Sequence, residues 1–391
     1  METCDVLIVG GGPAGSACAW KLRWAGVDVM VLDKATFPRH KVCAGWITPA
    51  VLDELDIDVQ DYQRSHVIQP ITRFLTGIIG RREVETKYDC TVSYGIRRWE
   101  FDDYLLRRSG ARLRMGEAFR SIREERGSWI VNDSICASAV IGAGGHFCPV
   151  NRYFLTNTPN SVETESSAVA TATSKSKAEL PVVVAQEVEF ELSPVQREHC
   201  TVLPDRPELF FCPDLRGYGW IFRKGNWLNI GLGRESESHL STHIADFVKT
   251  LQSRGKIPDD IPGPFHGHAY HLRTHLRPSL TPDGILVIGD AAGLADRQSG
   301  EGIRPAIESG LLAAVTILET EGENKASWKP MFAEKMRRRF GETSTSGGIT
   351  SYVPTSMKEL AARWLMSSHW FNRRVVLDQW FLHRKTPALR V

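Results

Sequence analysis

A mixed α/β fold is predicted for this chain: a β-α-β unit at the N-terminus, an antiparallel sheet in the middle and helices towards the C-terminus. Three observations predict it. The apolar run Val6-Leu7-Ile8-Val9 leads directly into Gly10-Gly11-Gly12-Pro13-Ala14-Gly15, and a second apolar run, Val29–Leu32, follows a helical stretch. Further on, the runs Val182–Leu192, Leu209–Cys212, Gly219–Phe222 and Leu228–Leu232 are separated by turn residues, the mark of paired strands. Finally, Gly284–Ile288 opens a stretch in which Ile303, Ala306, Ile307, Gly310, Leu311 and Ala314 recur at helical spacing.

The elements follow in order. A helix over Pro13–Ala25 begins with a proline whose missing N–H costs nothing there and stops at Gly26. Residues 43–94 read as an irregular insertion. A helix over Phe101–Ser109 precedes short strands at Ala111–Arg114, Trp129–Val131 and Ser134–Ile141. Asn157–Glu179 is rich in Ser, Thr and Ala and reads as a flexible surface excursion. Lys224-Gly225-Asn226 is hairpin chemistry. A helix over Gly302–Leu318 leads into the C-terminal helices. The expected organisation is a discontinuous dinucleotide-binding domain (1–75, 95–150 and 280–325), a substrate-binding sheet domain (76–94 and 151–279) and a helical region (326–391).

Composition narrows the function. The 391 residues suffice for two or three domains, and 42% hydrophobic with 24% charged residues is ordinary for a globular protein. A net charge of +2 argues against nucleic acid as a partner. None of the eight cysteines forms a C-x-x-C pair, so neither a metal site nor a redox dithiol is expected. No apolar run approaches the roughly 20 residues of a membrane span, which points to a cytoplasmic protein. The segment Lys358–Val391 carries seven Lys/Arg against two Asp/Glu, with Trp364, Trp370 and Trp380. Over 355–391, Met357, Leu360, Ala361, Trp364 and Leu365 share one helical face, which suits either peripheral membrane contact or a helix packed on the body.

The glycine motif carries the chemistry. In G-x-G-x-x-G between a strand and a helix, Gly10 permits the tight turn, Gly12 lets a diphosphate approach the backbone and Gly15 lets helix and strand pack closely. The helix N-terminus at Pro13 and Ala14 offers free N–H groups to the phosphates. Asp33, with Lys34 beside it, ends the second strand where a ribose would lie. This is a Rossmann-type dinucleotide site. Downstream, Gly289-Asp290 ends a strand at the carboxyl edge of the sheet, and Gly300-Glu301-Gly302-Ile303 opens a helix whose positive end suits charge gained by a reduced flavin.

These motifs, together with two others, resemble the geranylgeranyl reductase family, within the p-hydroxybenzoate hydroxylase-type flavoprotein superfamily, over about residues 3–320. Arg98-Trp99-Glu100-Phe101-Asp102-Asp103-Tyr104-Leu105 matches R-x-x-F-D-x-x-L, and Tyr218-Gly219-Trp220-Ile221-Phe222 matches Y-x-W-x-F. The resemblance implies FAD as cofactor, with Arg98 contacting it and Asp290 binding its ribityl chain. It implies a substrate pocket at Tyr218 and Trp220, and places Cys43-Ala44-Gly45 at the isoalloxazine. Cys43 is then either a proton donor or a buried packing residue. Lys41 and Arg39, in the same loop, either contact FAD or are solvated. The chain departs from the pattern at Gly142-Ala143-Gly144-Gly145, which lacks the acidic residue of G-A-D-G. Leu215, Arg223 and Arg297 replace prolines. The implied activity is reduction of carbon–carbon double bonds in a prenyl or other apolar small molecule. Monooxygenation, halogenation and electron transfer are the alternatives. With one dinucleotide fold visible, NAD(P)H would bind transiently, or a protein would donate the electrons.

Overall fold

The computed structural model describes residues 1–157, 182–235, 239–273, 281–320, 325–341 and 364–391. The expected excursion at 157–179 lies outside these apart from its first residue, as do Met357, Leu360 and Ala361.

The first sheet is built around five parallel strands in the order Arg112–Met115, Val29–Asp33, Glu2–Val9, Ile135–Gly142 and Ile285–Val287. Ser128–Val131 and Ile122–Glu125 extend it antiparallel; the second of these was not anticipated. Alternation along Glu2–Val9 sends Val6 and Ile8 into one core and Leu7 and Val9 into another, so both faces of the sheet are covered. Helices Pro13–Trp24 and Ile303–Glu319 cross closely on one of these faces. A Cβ at Gly310 would fall 2.2 Å from the Ala14 carbonyl oxygen, which shows why the crossing needs glycine.

The second sheet runs in the order His266–His271, Val182–Glu191, Trp227–Glu235, Gly217–Lys224, Glu208–Phe211, Arg73–Ile78 and Glu83–Lys87. It is not wholly antiparallel, because Glu208–Phe211 pairs in parallel with Arg73–Ile78. The Lys224–Trp227 hairpin turns through Gly225 at φ +58°. Helix Leu240–Ser253 covers one face, with Phe247 seated against Gly219.

Residues 43–94 are more regular than expected. They contain helices Pro49–Glu54 and Val59–Gln63 and a three-stranded sheet of Trp46–Ile47, Ser93–Ile96 and Ile68–Ile71.

The tail packs on the body. Met366, Val376, Leu377, Phe381 and Leu382 are buried against the second sheet. Beyond them Arg304 Nη2 donates to the carbonyls of Thr386 (3.1 Å) and Pro387 (2.7 Å), and the Leu389 N–H donates to Glu54 Oε1 at 2.9 Å. Trp364 and Trp370 remain exposed, at 75% and 67%. Among the described residues no helix is long and apolar enough to cross a membrane.

Candidate functional site

The turn after the first strand is shaped by what its glycines exclude. Gly10 has φ +120°, and a Cβ there would lie 2.3 Å from the Ala143 carbonyl oxygen. A Cβ at Gly15 would lie 2.0 Å from the Gly10 carbonyl oxygen. At Gly12 it would meet only Arg39 Nη2, at 3.4 Å, so this position is open towards a cavity. Asp33 braces the turn by accepting from the Gly11 N–H and the Ala35 N–H, both at 2.8 Å.

That cavity, about 640 Å³, runs between the two sheets. Asp33 and Lys34 line one end, and Gly10, Gly12, Pro13 and Ala14 line the stretch past the turn. Gly289, Asp290, Gly300, Gly302 and Ile303 form the opposite wall, and Lys41, Cys43, Arg98, Tyr218 and Trp220 the far end. Every candidate catalytic or cofactor-binding residue named from the sequence therefore lines one space except Gly15, which packs behind the turn. The donor set fits FAD. A cradle that no Cβ fills, a helix N-terminus and the Arg39 guanidinium suit a diphosphate, and a carboxylate stands on either side for the sugar chains.

Two of the cations around this space share one carboxylate. Asp102, fully buried, accepts from Arg98 Nε (2.7 Å) and Nη2 (2.8 Å) and pairs with Arg39 Nη2 at 3.2 Å. Cys43 Sγ accepts from the Gly45 N–H at 3.4 Å. Lys41 Nζ contacts His268 Nε2 at 2.6 Å. Burial lowers Lys41 to about 8, while burial and then the Lys41 charge hold His268 down at about 3. At neutral pH Lys41 is thus the charged donor and His268 the neutral acceptor.

Tyr218 donates its hydroxyl to the Ser299 carbonyl at 2.5 Å, and burial pushes its pKa well above the ordinary tyrosine range. Trp220 donates Nε1–H to Asn229 Oδ1 at 2.7 Å and lies flat over Gly231, where a Cβ would be 2.2 Å from the ring. Its polar end is therefore occupied, and the cavity meets its ring.

Sequence reasoning missed Trp46, Ala185, His268, Tyr270 and Phe381, which also line the cavity. Phe381 comes from the tail and stacks on Trp46 with centroids 5.2 Å apart. The alternation His266-Gly267-His268-Ala269-Tyr270, which sets the first, third and fifth side chains on one face of a strand, was the signal available for His268 and Tyr270.

Residues 3–128 match the FAD binding domain family. The menaquinone reductase of Mycobacterium tuberculosis is 29% identical over 87% of this chain and 82% of its own length. Digeranylgeranylglycerophospholipid reductase 2 of Methanopyrus kandleri is 27% identical over 87% of this chain and 83% of its own. A geranylgeranyl bacteriochlorophyll reductase-like structure from Thermoplasma acidophilum superposes with a TM-score of 0.69 at 21% identity, covering 94% of this chain and 88% of that one. At that identity the likeness is one of fold. Taken with the cleft described above, these similarities support an FAD-dependent oxidoreductase similar to the geranylgeranyl reductases.

Proposed function

We propose that the protein saturates carbon–carbon double bonds of a prenyl chain. The observation that carries this reading is the continuity of the dinucleotide cleft with an apolar chamber walled by Trp46, Ala185, Tyr218, Trp220 and Phe381, with Cys43 lining the same space. The relatives named as reductases of geranylgeranyl lipids support it.

Bound and reduced, FAD supplies two electrons and one hydrogen to the substrate. The chain's own residues do the rest. Gly12 and the N-terminus of helix Pro13–Trp24 would hold the diphosphate, with Arg39 beside them, and Asp33 and Lys34 would flank the adenosine. Asp290 would take the ribityl hydroxyls. The N-terminus of helix Ile303–Glu319, opened by Gly302, would offer its positive end to charge gained on reduction. Tyr218 and Trp220 shape the pocket and exclude water, and Cys43 delivers the second hydrogen, as a proton, from Sγ.

We assign 1–75, 95–150 and 280–325 to cofactor binding, 76–94 and 151–279 to the substrate, and 326–391 to a C-terminal helical region of which Phe381 walls the chamber; the strand Arg73–Ile78 crosses the first of these bounds and pairs within the second sheet. The electron donor is NAD(P)H binding transiently or a protein. Exposed Trp364 and Trp370, with Arg373 and Arg374 close in sequence, support a peripheral membrane contact.

The test is to reduce the holoprotein anaerobically, offer geranylgeranyl diphosphate, a geranylgeranylated glycerophospholipid and menaquinone separately, and weigh the products. A gain of one H2 per saturated bond is expected. No gain with any of them, together with oxygen insertion once air is admitted, overturns the reading in favour of a monooxygenase.

A further inference from the structure

The second sheet faces the cofactor cleft with a buried polar patch. Along Val182–Glu191 the side chains of Ala185, Glu187 and Glu189 fall on one face at alternate positions. Ala185 lines the main cavity, whereas Glu187 and Glu189 line a second cavity of about 480 Å³. The two cavities share Lys41, Cys43, Arg98 and His268, so the Cys43 loop is the partition between them. The loop rests on the patch. Asn229 Nδ2 donates to the Cys43 carbonyl at 3.3 Å and to Glu187 Oε2 at 3.1 Å, so one amide ties the loop to the carboxyl. Lys224 Nζ sits so close beneath Gly45 that a Cβ there would be 2.5 Å away.

The two carboxyls differ. Glu189 is matched by Lys224 at 2.8 Å and Arg97 at 3.4 Å. Glu187 is 7% exposed and has no ion-pair partner among the described residues. The groups around it are Glu189 on its own strand, Asn229 and Lys224 on the neighbouring strands, His266 and His268 on the edge strand, His40, Lys41 and Cys43 on the loop, and Arg98 on the helix beyond. Burial lifts Glu187 to about 7 against the pull of the Cys43 backbone, Asn229 and Lys224. A buried carboxyl left without a cation costs stability, which marks it as a candidate for function.

We infer that Glu187 is the proton reservoir of the Cys43 loop, filled from solvent through the second cavity. The inference rests on the reductase reading for its role in turnover. Saturating one double bond takes up two electrons and two protons. One hydrogen arrives with the electrons from reduced FAD. The other leaves Cys43 as a proton: its S–H bond breaks, a C–H bond forms, and a thiolate remains. Glu187 then gives its carboxyl proton to the thiolate through the second cavity and is recharged from solvent. Glu187 is thus a positioning residue, acting through Cys43.

The experiment measures site-resolved alkylation of Cys43 by iodoacetamide in the holoprotein, from about pH 5 to about pH 10. Wild type is compared with Glu187→Gln after equal FAD content has been checked. Ionised Glu187 disfavours the thiolate, so Glu187→Gln is expected to react on the order of threefold or more faster above neutral pH, with the curves merging in acid. Superimposable curves overturn the inference. If Glu187→Gln does not fold, Glu187→Asp takes its place: a pH dependence of alkylation that differs from wild type supports the inference, and curves superimposable on wild type overturn it. Diverging curves in a protein that reduces no prenyl substrate keep the Glu187–Cys43 coupling and discard the reductase reading.

Discussion

The two ends of the main cavity are built from different material. At the Gly10–Gly15 turn the site is backbone, shaped by the absence of side chains, and a Cβ at Gly10 or Gly15 would collide with carbonyl groups. At the far end it is all side chains, where Trp46, Tyr218, Trp220 and Phe381 from three separate segments meet around Cys43. Backbone tolerates almost no substitution and side chains tolerate many. The cofactor end therefore has one solution, while the substrate end is open to variation within the same fold.

The largest expected effect breaks this comparison inside the turn itself. Gly15→Val should fail to fold, because its Cβ has no room against the Gly10 carbonyl. Gly12→Val, open to the cavity, should fold and lose FAD. Circular dichroism and flavin content, measured on both, separate the two. FAD retained by Gly12→Val removes the diphosphate cradle.

At the far end, Phe381→Ala should destabilise the protein by about 3–5 kcal/mol, the usual cost of emptying a buried phenylalanine site. Phe381 is 4% exposed and packs on Trp46 and Tyr218. Denaturant midpoints measure this; a shift near zero would detach the tail from the core. The same result bears on any truncation near residue 342, which would remove a cavity wall as well as a surface.

Next comes Cys43. Cys43→Ser and Cys43→Ala should keep FAD and flavin reduction and lose roughly 10²-fold or more in product formation, the usual contribution of a positioned acid. Stopped-flow reduction and reoxidation of both variants checks this. Unchanged turnover would make Cys43 a packing residue, which is the alternative its sequence context leaves open.

Asp290→Ala sharpens the comparison from the cofactor side. It removes hydrogen bonds to one ligand, each worth about 0.5–1.5 kcal/mol, so FAD should bind several-fold to tenfold more weakly without being lost. Titration of the apoprotein with FAD measures it, and an unchanged dissociation constant moves the ribityl contact elsewhere.

The cofactor end was legible because backbone constraints select residue types. Only glycine serves at Gly10 and Gly15, and an acidic residue at Asp33 has backbone N–H groups to satisfy. The chamber was legible only where a motif already pointed, at Tyr218, Trp220 and Cys43. Phe381 sits in a tail whose tryptophans drew attention, yet nothing local says that this phenylalanine turns inwards to Trp46. Helices Pro49–Glu54 and Val59–Gln63 are too short to show periodicity, although Pro49 at a first turn and the Asp58 cap, accepting from the Asp61 N–H at 2.8 Å, were readable start signals. The parallel pairing of Glu208–Phe211 with Arg73–Ile78 joins segments far apart in the chain, beyond any local pattern. Glu187 lies within the run Val182–Leu192, and nothing local sets it apart from Glu189 or Glu191. Its burial follows from the loop laid over it.

The smallest expected effect tests how the tail is tied to the cofactor wall. His383 Nε2 lies 3.1 Å from Glu301 Oε2, one residue before Gly302 and the helix that ends the cleft. Burial lowers the pKa of this histidine, but the Glu301 hydrogen bond and charge, with Asp296, raise it further, and the net direction is up. A histidine whose pKa is higher folded than unfolded binds more protons in the folded state, so stability falls as pH rises. Its contribution is complete below the unfolded value of about 6.5 and disappears as pH climbs through the folded value above it. His383→Gln should therefore lose about 1 kcal/mol or less in mild acid and nothing at about pH 9. Denaturant midpoints of both proteins at the two pH values decide it: an equal deficit at both would mean that His383 acts by packing, and that the tail is held without this charge.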